Sequence, residues 1–389
     1  MSVSQSSDRT RLWFFITALS IGGAEQTLVD LANNLDESKY EVTIWTLFDA
    51  NPLASDLRQG VDLRTLGVSG ETGKDDAYVE DLTDPRDLVT APLRFTVALS
   101  RECPDIVQSF LLYDNIIARL AGVLSPSTVV VSGVRSVPTR RPLWQELLDR
   151  ATLPLADYVV SNSRAGSQFI IERGASPDDV EVIHNGRDVE KYDRSNDDTE
   201  LSLTVPDGAP LVGTVGRLIE RKGHYDLLDA WPDVLESHPN ARLVFVGDGP
   251  ERGGLKRRAD RMAVGDSVEF LGLRDDVPRL LGVFDVFAFP SHFEGLPGAL
   301  LEAMAAGCPI VTTPVDGSAE LVSNYRDGLH VDVEASDEIA EAITLLLDYP
   351  ELAEELGTSA QNRAKSSFTI PRMVEEFDSF YSRVLSPDG

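Results

Sequence analysis

The chain has 389 residues, 42% of them hydrophobic, which is enough for two domains with a core each. Its 64 acidic against 35 basic residues give a formal charge of −29, which argues against nucleic acid as a partner, because phosphate backbones are held by clustered Lys and Arg. Only six residues are Lys, and an acidic, Lys-poor surface around an ordinary core predicts adaptation to high salt, where ions at about 1 M screen repulsion beyond roughly 3 Å.

Residues 1–10 are Ser-rich and read as disordered. Arg11–Ala18 reads as a first strand. The run Leu12–Ile21 after Arg9 and Arg11 resembles a signal-peptide core, but a polar helix start, Gly22–Glu25, follows directly, and cleavage would delete the first strand of a βαβ pattern. Gly22 and Gly23 form a turn that lets backbone approach a ligand, and Ala24–Leu35 has helical apolar spacing. Tyr40–Phe48 and Val61–Leu66 are strands, and Ser69–Asp84 is an acidic loop. A helix at Leu88–Arg101, a strand at Ile106–Phe110, a helix at Tyr113–Leu124 and a strand at Thr128–Ser132 continue the alternation.

Arg135–Arg150 is a basic patch in this acidic chain, with Arg135, Arg140 and Arg141 beside Leu143, Trp144, Leu147 and Leu148. The plain reading is a packed helix with an arginine-bearing entry loop. The functional one is a dock for a phosphate-bearing or lipid-linked acceptor at a membrane surface. Asp157–Ser161, a helix from Arg164 and Val180–Ile183 complete a first domain, and the polar stretch after Asn185–Gly186 reads as a linker.

The second domain opens with strand Leu211–Val215 and GRLIERKG at Gly216–Gly223. This is not a P-loop, since Lys222 precedes Gly223. Arg217 at a strand's carboxyl end and Lys222 at the start of helix Gly223–Leu235 make a candidate diphosphate clamp, or else solvated charges. Strand Arg242–Val246 leads into GDGPERGG, whose Arg252 breaks a nicotinamide fingerprint, and Val268–Leu271 is the next strand.

Phe284–Pro314 then reads as strand, loop, helix and strand, with Pro297 at the first helical position and Gly307 and Pro309 as stops. Glu294 precedes this helix, and Glu302 lies five residues past Pro297, about 7.5 Å along the helix axis. Gly295 and Gly298 leave backbone N–H groups uncovered there. Glu302 sits among apolar neighbours, where a buried carboxylate needs a partner. Helices at Ser336–Leu347, Glu351–Ala364 and Ile370–Leu385 close the chain. Cys103 and Cys308, each before a proline, read as free thiols of a reducing compartment, and no histidine pair or Asp-x-Asp predicts a metal site. No apolar run is long enough to span a membrane.

Two glutamates separated by seven residues in FPSHFEGLPGALLEAMAAGCPIV resemble the signature of the GT4-type retaining glycosyltransferases, and GGAE, VIHNGRD, GRLIERKG and GDGP extend the resemblance along nearly the whole chain. It implies the α/β GT-B architecture, with two Rossmann-like domains of parallel sheets facing across a cleft. The first is residues 1–187, with the C-terminal helix 370–389 packing back on it. A linker, 188–208, leads to a nucleotide-sugar-binding domain at 209–369. The resemblance makes Arg217 and Lys222 the pyrophosphate binders. It puts Gly22 and Gly23 beside donor phosphates and acceptor, Leu271 and Gly272 beside the base, and Asp316–Val322 on the cleft. Asp114 stands where relatives often carry a His, so no catalytic His carries over.

The expected activity is transfer of a sugar from a nucleoside diphosphate sugar, UDP- or GDP-linked, to the hydroxyl of a glycan or lipid-linked acceptor. Glu294 would contact the donor sugar and Glu302 the ribose. Arg217, Lys222 and the N–H groups of Gly295 and Leu296 would hold the leaving phosphate without a metal or cofactor. Asp114, Arg135, Arg140 and Arg141 are the acceptor-side candidates. A cytoplasmic enzyme, peripheral on the inner face of the membrane, fits this chemistry. An epimerase or sugar-phosphate synthase of the same fold, told apart by its products, and an inactive nucleotide- or glycan-binding subunit are the alternatives. The four charged site residues Arg217, Lys222, Glu294 and Glu302 speak against the last.

Overall fold

The computed structural model describes residues 9–68, 86–136, 142–192, 206 and 208–386, so the acidic loop 69–84, Arg140 and Arg141 lie outside the described residues. The chain forms two compact units, one from Met1–Gly186 with Ile370–Gly389 and one from Arg187–Thr369.

The first unit is built on seven parallel strands: β1 (Thr10–Ile16), β2 (Tyr40–Phe48), β3 (Asp62–Val68), β4 (Ile106–Ser109), β5 (Val129–Val134), β6 (Tyr158–Ser161) and β7 (Val180–Val182). They lie in the order β3-β2-β1-β4-β5-β6-β7. Helices α1 (Gly23–Asn34), α2 (Asp87–Glu102), α3 (Leu112–Gly122), α4 (Leu143–Thr152) and α5 (Arg164–Glu172) connect them. Strand β1 is an unbroken apolar run from Leu12 to Ile16 because both its faces are covered there. Leu12, Phe14 and Ile16 enter one core, while Trp13 and Phe15 enter another, where Phe15 stacks on Phe95 at 4.1 Å. The C-terminal helix buries Met373, Phe377, Phe380 and Tyr381 in the first of these cores, a spacing that puts all four on one helical face.

The second unit has six parallel strands: β8 (Leu211–Val215), β9 (Arg242–Val246), β10 (Val268–Gly272), β11 (Val286–Phe289), β12 (Ile310–Thr312) and β13 (Leu329–His330). Their order is β10-β9-β8-β11-β12-β13. Its helices are α6 (His224–Ser237), α7 (Arg252–Arg261), α8 (Val277–Val283), α9 (Gly298–Ala305), α10 (Asp316–Leu321), α11 (Ser336–Asp348) and α12 (Pro350–Ser367), and α13 (Ile370–Val384) is the C-terminal helix of the first unit. Alternation along β11 sends Phe287 and Phe289 to the core under α9, and Val286 and Ala288 to the core under α6 and α11.

Three details differ from the sequence reading. Pro297 keeps an extended backbone (φ −72°, ψ 117°) as the N-cap of α9, so the helix begins at Gly298. Helices α7, α8 and α10 and strand β13 add to the expected elements. Within the stretch expected as linker, Val189–Tyr192 is a 3-10 turn whose Val189 and Tyr192 are buried in the core of the second unit.

Each sheet runs outward in both directions from a pair of central strands, β1 and β4 in one unit, β8 and β11 in the other. In such sheets the connections on either side of the reversal leave on opposite faces and open a crevice at the strands' carboxyl ends. Those two edges carry the candidate sites.

Candidate functional site

In the second unit the crevice is made by the loops after β8 and β11. The first runs from Gly216 through the 3-10 turn Glu220–Lys222 to Gly223, which adopts a left-handed conformation (φ +64°) before α6. A Cβ at Gly223 would fall 1.9 Å from the Pro290 carbonyl oxygen, so only glycine allows the two loops to touch. The His292 N–H donates to the Arg221 carbonyl at 2.8 Å, and His292 Nε2 pairs with Asp226 Oδ2 at 2.6 Å, which fastens the second loop to the first.

This seam brings Lys222 and Glu294 together. Lys222 Nζ donates to Glu294 Oε1, which also accepts from Ser291 Oγ at 2.9 Å, while Arg221 Nη1 lies 3.6 Å from Oε2. Glu294 is only 5% exposed. Lys222 also lies 5.0 Å from the Phe289 ring centroid. Burial lowers the Lys222 pKa; Glu294 opposes that and Arg221 adds to it. Beneath it, burial and then the Lys222 charge push His224 down to about 3, so this imidazole is neutral.

The Glu294 N–H donates to Asp316 Oδ2 at 3.2 Å, and Asp316 opens α10 with φ +41°. A Cβ on Gly317 would fall 1.8 Å from the Gly295 carbonyl, so the loop lies flat against α10. The N–H groups of Gly295 and Leu296 have no hydrogen-bond partner among the described residues, although Leu296 is buried. Since α9 begins at Gly298, these two donors belong to the loop and not to the helix. Arg217 lies two residues beyond β8, partly exposed at the same edge.

Glu302 is held elsewhere. Its Oε1 lies 3.3 Å from Arg187 Nε, with the arginine 5% and the glutamate 19% exposed. Gly298 makes room, as a Cβ there would fall 2.4 Å from Arg187 Nη2. Burial raises the Glu302 pKa against the opposing pull of Arg187. The two glutamates of the sequence pattern therefore have separate cationic partners. At β10, Leu271 packs against the core, and Gly272 (φ +71°) accepts from the Gly247 N–H at 2.8 Å.

At the edge of the first unit, Gly22 caps α1 with extended backbone. A Cβ there would fall 2.3 Å from Glu25 Oε2, while Gly23 faces open space. Asp114 is fully buried. It accepts from Thr17 Oγ1 at 2.8 Å and from the Leu111 N–H at 3.2 Å, as the third residue of α3. Burial, with a further push from Glu25, lifts its pKa to about 7. Arg135 is described and follows β5; its companions Arg140 and Arg141 are not. Leu143, Trp144, Leu147 and Leu148 are exposed on α4, which corrects the reading of that segment as a packed helix.

Sequence reasoning missed Arg187, Arg221, Ser291, His292 and the Asp316 contact. The requirement that a buried Glu302 find a cation was the available signal for Arg187. No group of three or more His, Cys, Asp or Glu that could hold a metal ion occurs among the described residues. No helix among them is long and apolar enough to cross a membrane.

Two Rossmann-like units, one with a buried cation–carboxylate pair at its sheet reversal, are the architecture of GT-B glycosyltransferases. The chain belongs to that class by sequence as well: the family described as Glycosyl transferases group 1 matches residues 196–363, and Glycosyltransferase Family 4 matches residues 21–191. It is 29% identical over 363 residues to the lipopolysaccharide core biosynthesis glycosyltransferase LpsE of Rhizobium meliloti, covering 92% of this chain and 94% of that one. It is 28% identical over 300 residues to the Escherichia coli UDP-Gal:alpha-D-GlcNAc-diphosphoundecaprenol alpha-1,3-galactosyltransferase, covering 73% and 76%. Among solved structures, Anabaena Alr3699/HepE in complex with UDP and glucose superposes with a TM-score of 0.81 at 20% identity, over 96% of this chain and 100% of that one.

Proposed function

We propose that the protein is a retaining glycosyltransferase that moves a sugar from a nucleoside diphosphate sugar, UDP-linked in the first instance, to a hydroxyl of a glycan or lipid-linked acceptor. The observation that carries this reading is the Lys222–Glu294 pair at the carboxyl edge of β8 and β11, beside the N–H groups of Gly295 and Leu296, which have no partner among the described residues. A diphosphate entering this edge takes the Lys222 cation, with Arg217 and Arg221 adding charge and the two N–H groups binding oxygen. Glu294, released from Lys222, turns to the hydroxyls of the donor sugar. Bond breaking at the sugar's C1 moves negative charge onto the leaving phosphate and positive charge onto the ring. Fixed cations stabilise the first and Glu294 the second, so the work of a metal falls to side chains. The leaving phosphate then accepts the proton of the acceptor hydroxyl on the same face, which retains the anomeric configuration and needs no histidine. Glu302 holds the ribose, and Leu271 and Gly272 border the base.

UDP as the nucleotide is supported by the ligand of the Alr3699/HepE structure, and a lipid-linked acceptor by the name of the Escherichia coli relative. The exposed Leu143, Trp144, Leu147 and Leu148 of α4 fit a peripheral contact with a membrane bearing such an acceptor. The test is a thermal-shift panel of nucleoside diphosphates and their sugars in molar salt. It is followed by NMR of the product anomer formed from the sugar nucleotide that binds. Stabilisation by a nucleoside diphosphate and an anomer that matches the donor are expected; an inverted anomer would sink the mechanism.

A further inference from the structure

Arg135 follows β5 by one residue, Asn162 follows β6 by one, and Asn185 lies three beyond β7. Three neighbouring parallel strands thus present three polar side chains at one carboxyl edge of the first unit. The Arg135 guanidinium is fixed twice. Its Nη1 donates to Asn185 Oδ1 at 3.1 Å, and its central carbon lies 4.7 Å from the centroid of the Phe110 ring. What remains is the Nε–Nη2 edge, and both atoms are buried with no hydrogen-bond partner among the described residues. Asn162, whose Nδ2 donates to the Arg135 carbonyl at 3.4 Å, likewise keeps a buried Oδ1 with no partner among them.

Buried donors on a cation are rarely left unpaired, because each forfeits its hydration without return. The Nε and Nη2 hydrogens of a guanidinium point the same way and match two oxygens of one carboxylate or phosphate. Here the orphaned atoms are that pair, and the atom outside it is the one tied to Asn185. Burial lowers the Arg135 pKa to about 10, so the group stays cationic at neutral pH. Arg135 also lines a cavity with Phe110, Leu112 and Ser136, which leaves room beside it for a ligand.

We propose that Arg135, oriented by Asn185 and Phe110 and assisted by Asn162 Oδ1, is a binding site for an oxyanion that presents two oxygens side by side, a phosphate or carboxylate group carried by the acceptor. Asn162 Oδ1 accepts from a neighbouring hydroxyl of the same ligand. The assignment of the anion to the acceptor rests on the transferase reading; the anion site itself does not. It differs from the donor site in lying on the other unit and using one guanidinium edge.

The test is calorimetry on the full chain with the donor site first saturated with UDP, titrated with inorganic phosphate in one arm and glucuronate in the other. Whichever anion binds names the group. Arg135→Gln and Arg135→Lys are both expected to weaken it at least tenfold, since lysine keeps the charge and loses the fork. Asn162→Ala weakens glucuronate more than phosphate, because only glucuronate brings ring hydroxyls. UDP affinity, measured in parallel, stays at the wild-type value in all three variants. Failure of wild type to bind either anion, or equal binding by wild type and Arg135→Lys, would overturn the site. Failure of wild type to bind UDP would count against the donor reading alone.

Discussion

Lys222 and Glu294 neutralise each other across 72 residues of sequence, and the cation assigned to the diphosphate is the partner of the acid assigned to the sugar. On the proposed reading, the donor divides a pair that already exists.

The two residues should consequently fail in opposite directions. Lys222→Ala removes a charge-assisted contact worth roughly 1.5–3 kcal/mol, so UDP affinity falls about tenfold or more. It also leaves Glu294 buried without its main counter-charge, and breaking such pairs costs about 3–5 kcal/mol of stability. Glu294→Gln frees Lys222, so UDP binds as well as to wild type or better, while the transfer rate falls by ~10²-fold or more. Calorimetry with UDP and transfer rates on both variants decide this. A tenfold loss of UDP affinity in Glu294→Gln would show that the pair does not compete with the donor.

Asp114 gives the protein a pH dependence opposite to that of an ordinary salt-bridged acid. Its pKa of about 7 in the folded chain lies above the ordinary aspartate value of 3.8, so the folded chain holds a proton that the unfolded chain has lost. The stability it contributes is complete below about pH 4 and disappears as pH rises through 7. Each tenfold difference in proton affinity between the two states corresponds to about 1.4 kcal/mol. Glu25 and Glu302, also raised by burial, act in the same direction. Melting curves in 2 M KCl at pH 5 and pH 8 should show wild type losing stability at pH 8. Asp114→Asn, which cannot ionise and keeps one acceptor oxygen for the Leu111 N–H, should lose less. Equal slopes for the two proteins would remove Asp114 from this role.

The charge of −29 predicts a steep salt dependence. Raising KCl from 0.1 to about 2 M shortens the screening length from about 10 Å to a few ångströms and weakens repulsion among exposed carboxylates. Surface ion pairs such as Arg64–Glu102 weaken too, but exposed pairs contribute little. The midpoint of thermal unfolding should rise throughout this range. A flat or falling midpoint contradicts high-salt adaptation.

What was legible in the sequence divides along a physical line. Elements with a long apolar period, such as β1 and α13, read directly, because burial on both sheet faces or on one helical stripe writes itself into the residue order. Helix α7 did not, since only Leu255 and Ala259 of its ten residues are buried. Nor did α10, which is short and starts from a left-handed Asp316. Lys222 and Glu294 were legible one by one. Their pairing was not, because it depends on β8 lying beside β11, a fact of sheet order and not of local sequence. The same holds for Arg187, which meets Glu302 across 115 residues.

That second pair gives the sharpest test of the ribose assignment. Arg187 and Glu302 are both largely buried, so removing the cation strands a carboxylate that burial already pushes towards its neutral form. Arg187→Met should destabilise the fold by about 3–5 kcal/mol at pH 8, and by less at pH 5, where Glu302 can take up a proton. Glu302→Gln removes the acid and keeps a side chain that Arg187 can still bond, so its cost in stability is smaller. If Glu302 accepts from the ribose hydroxyls, Glu302→Gln weakens UDP several-fold and leaves inorganic pyrophosphate unaffected, since pyrophosphate has no ribose. Calorimetry with the two ligands separates the roles. Unchanged UDP affinity with the expected stability pattern would make Glu302 a structural partner of Arg187. Equal weakening of both ligands would place its effect on the diphosphate instead.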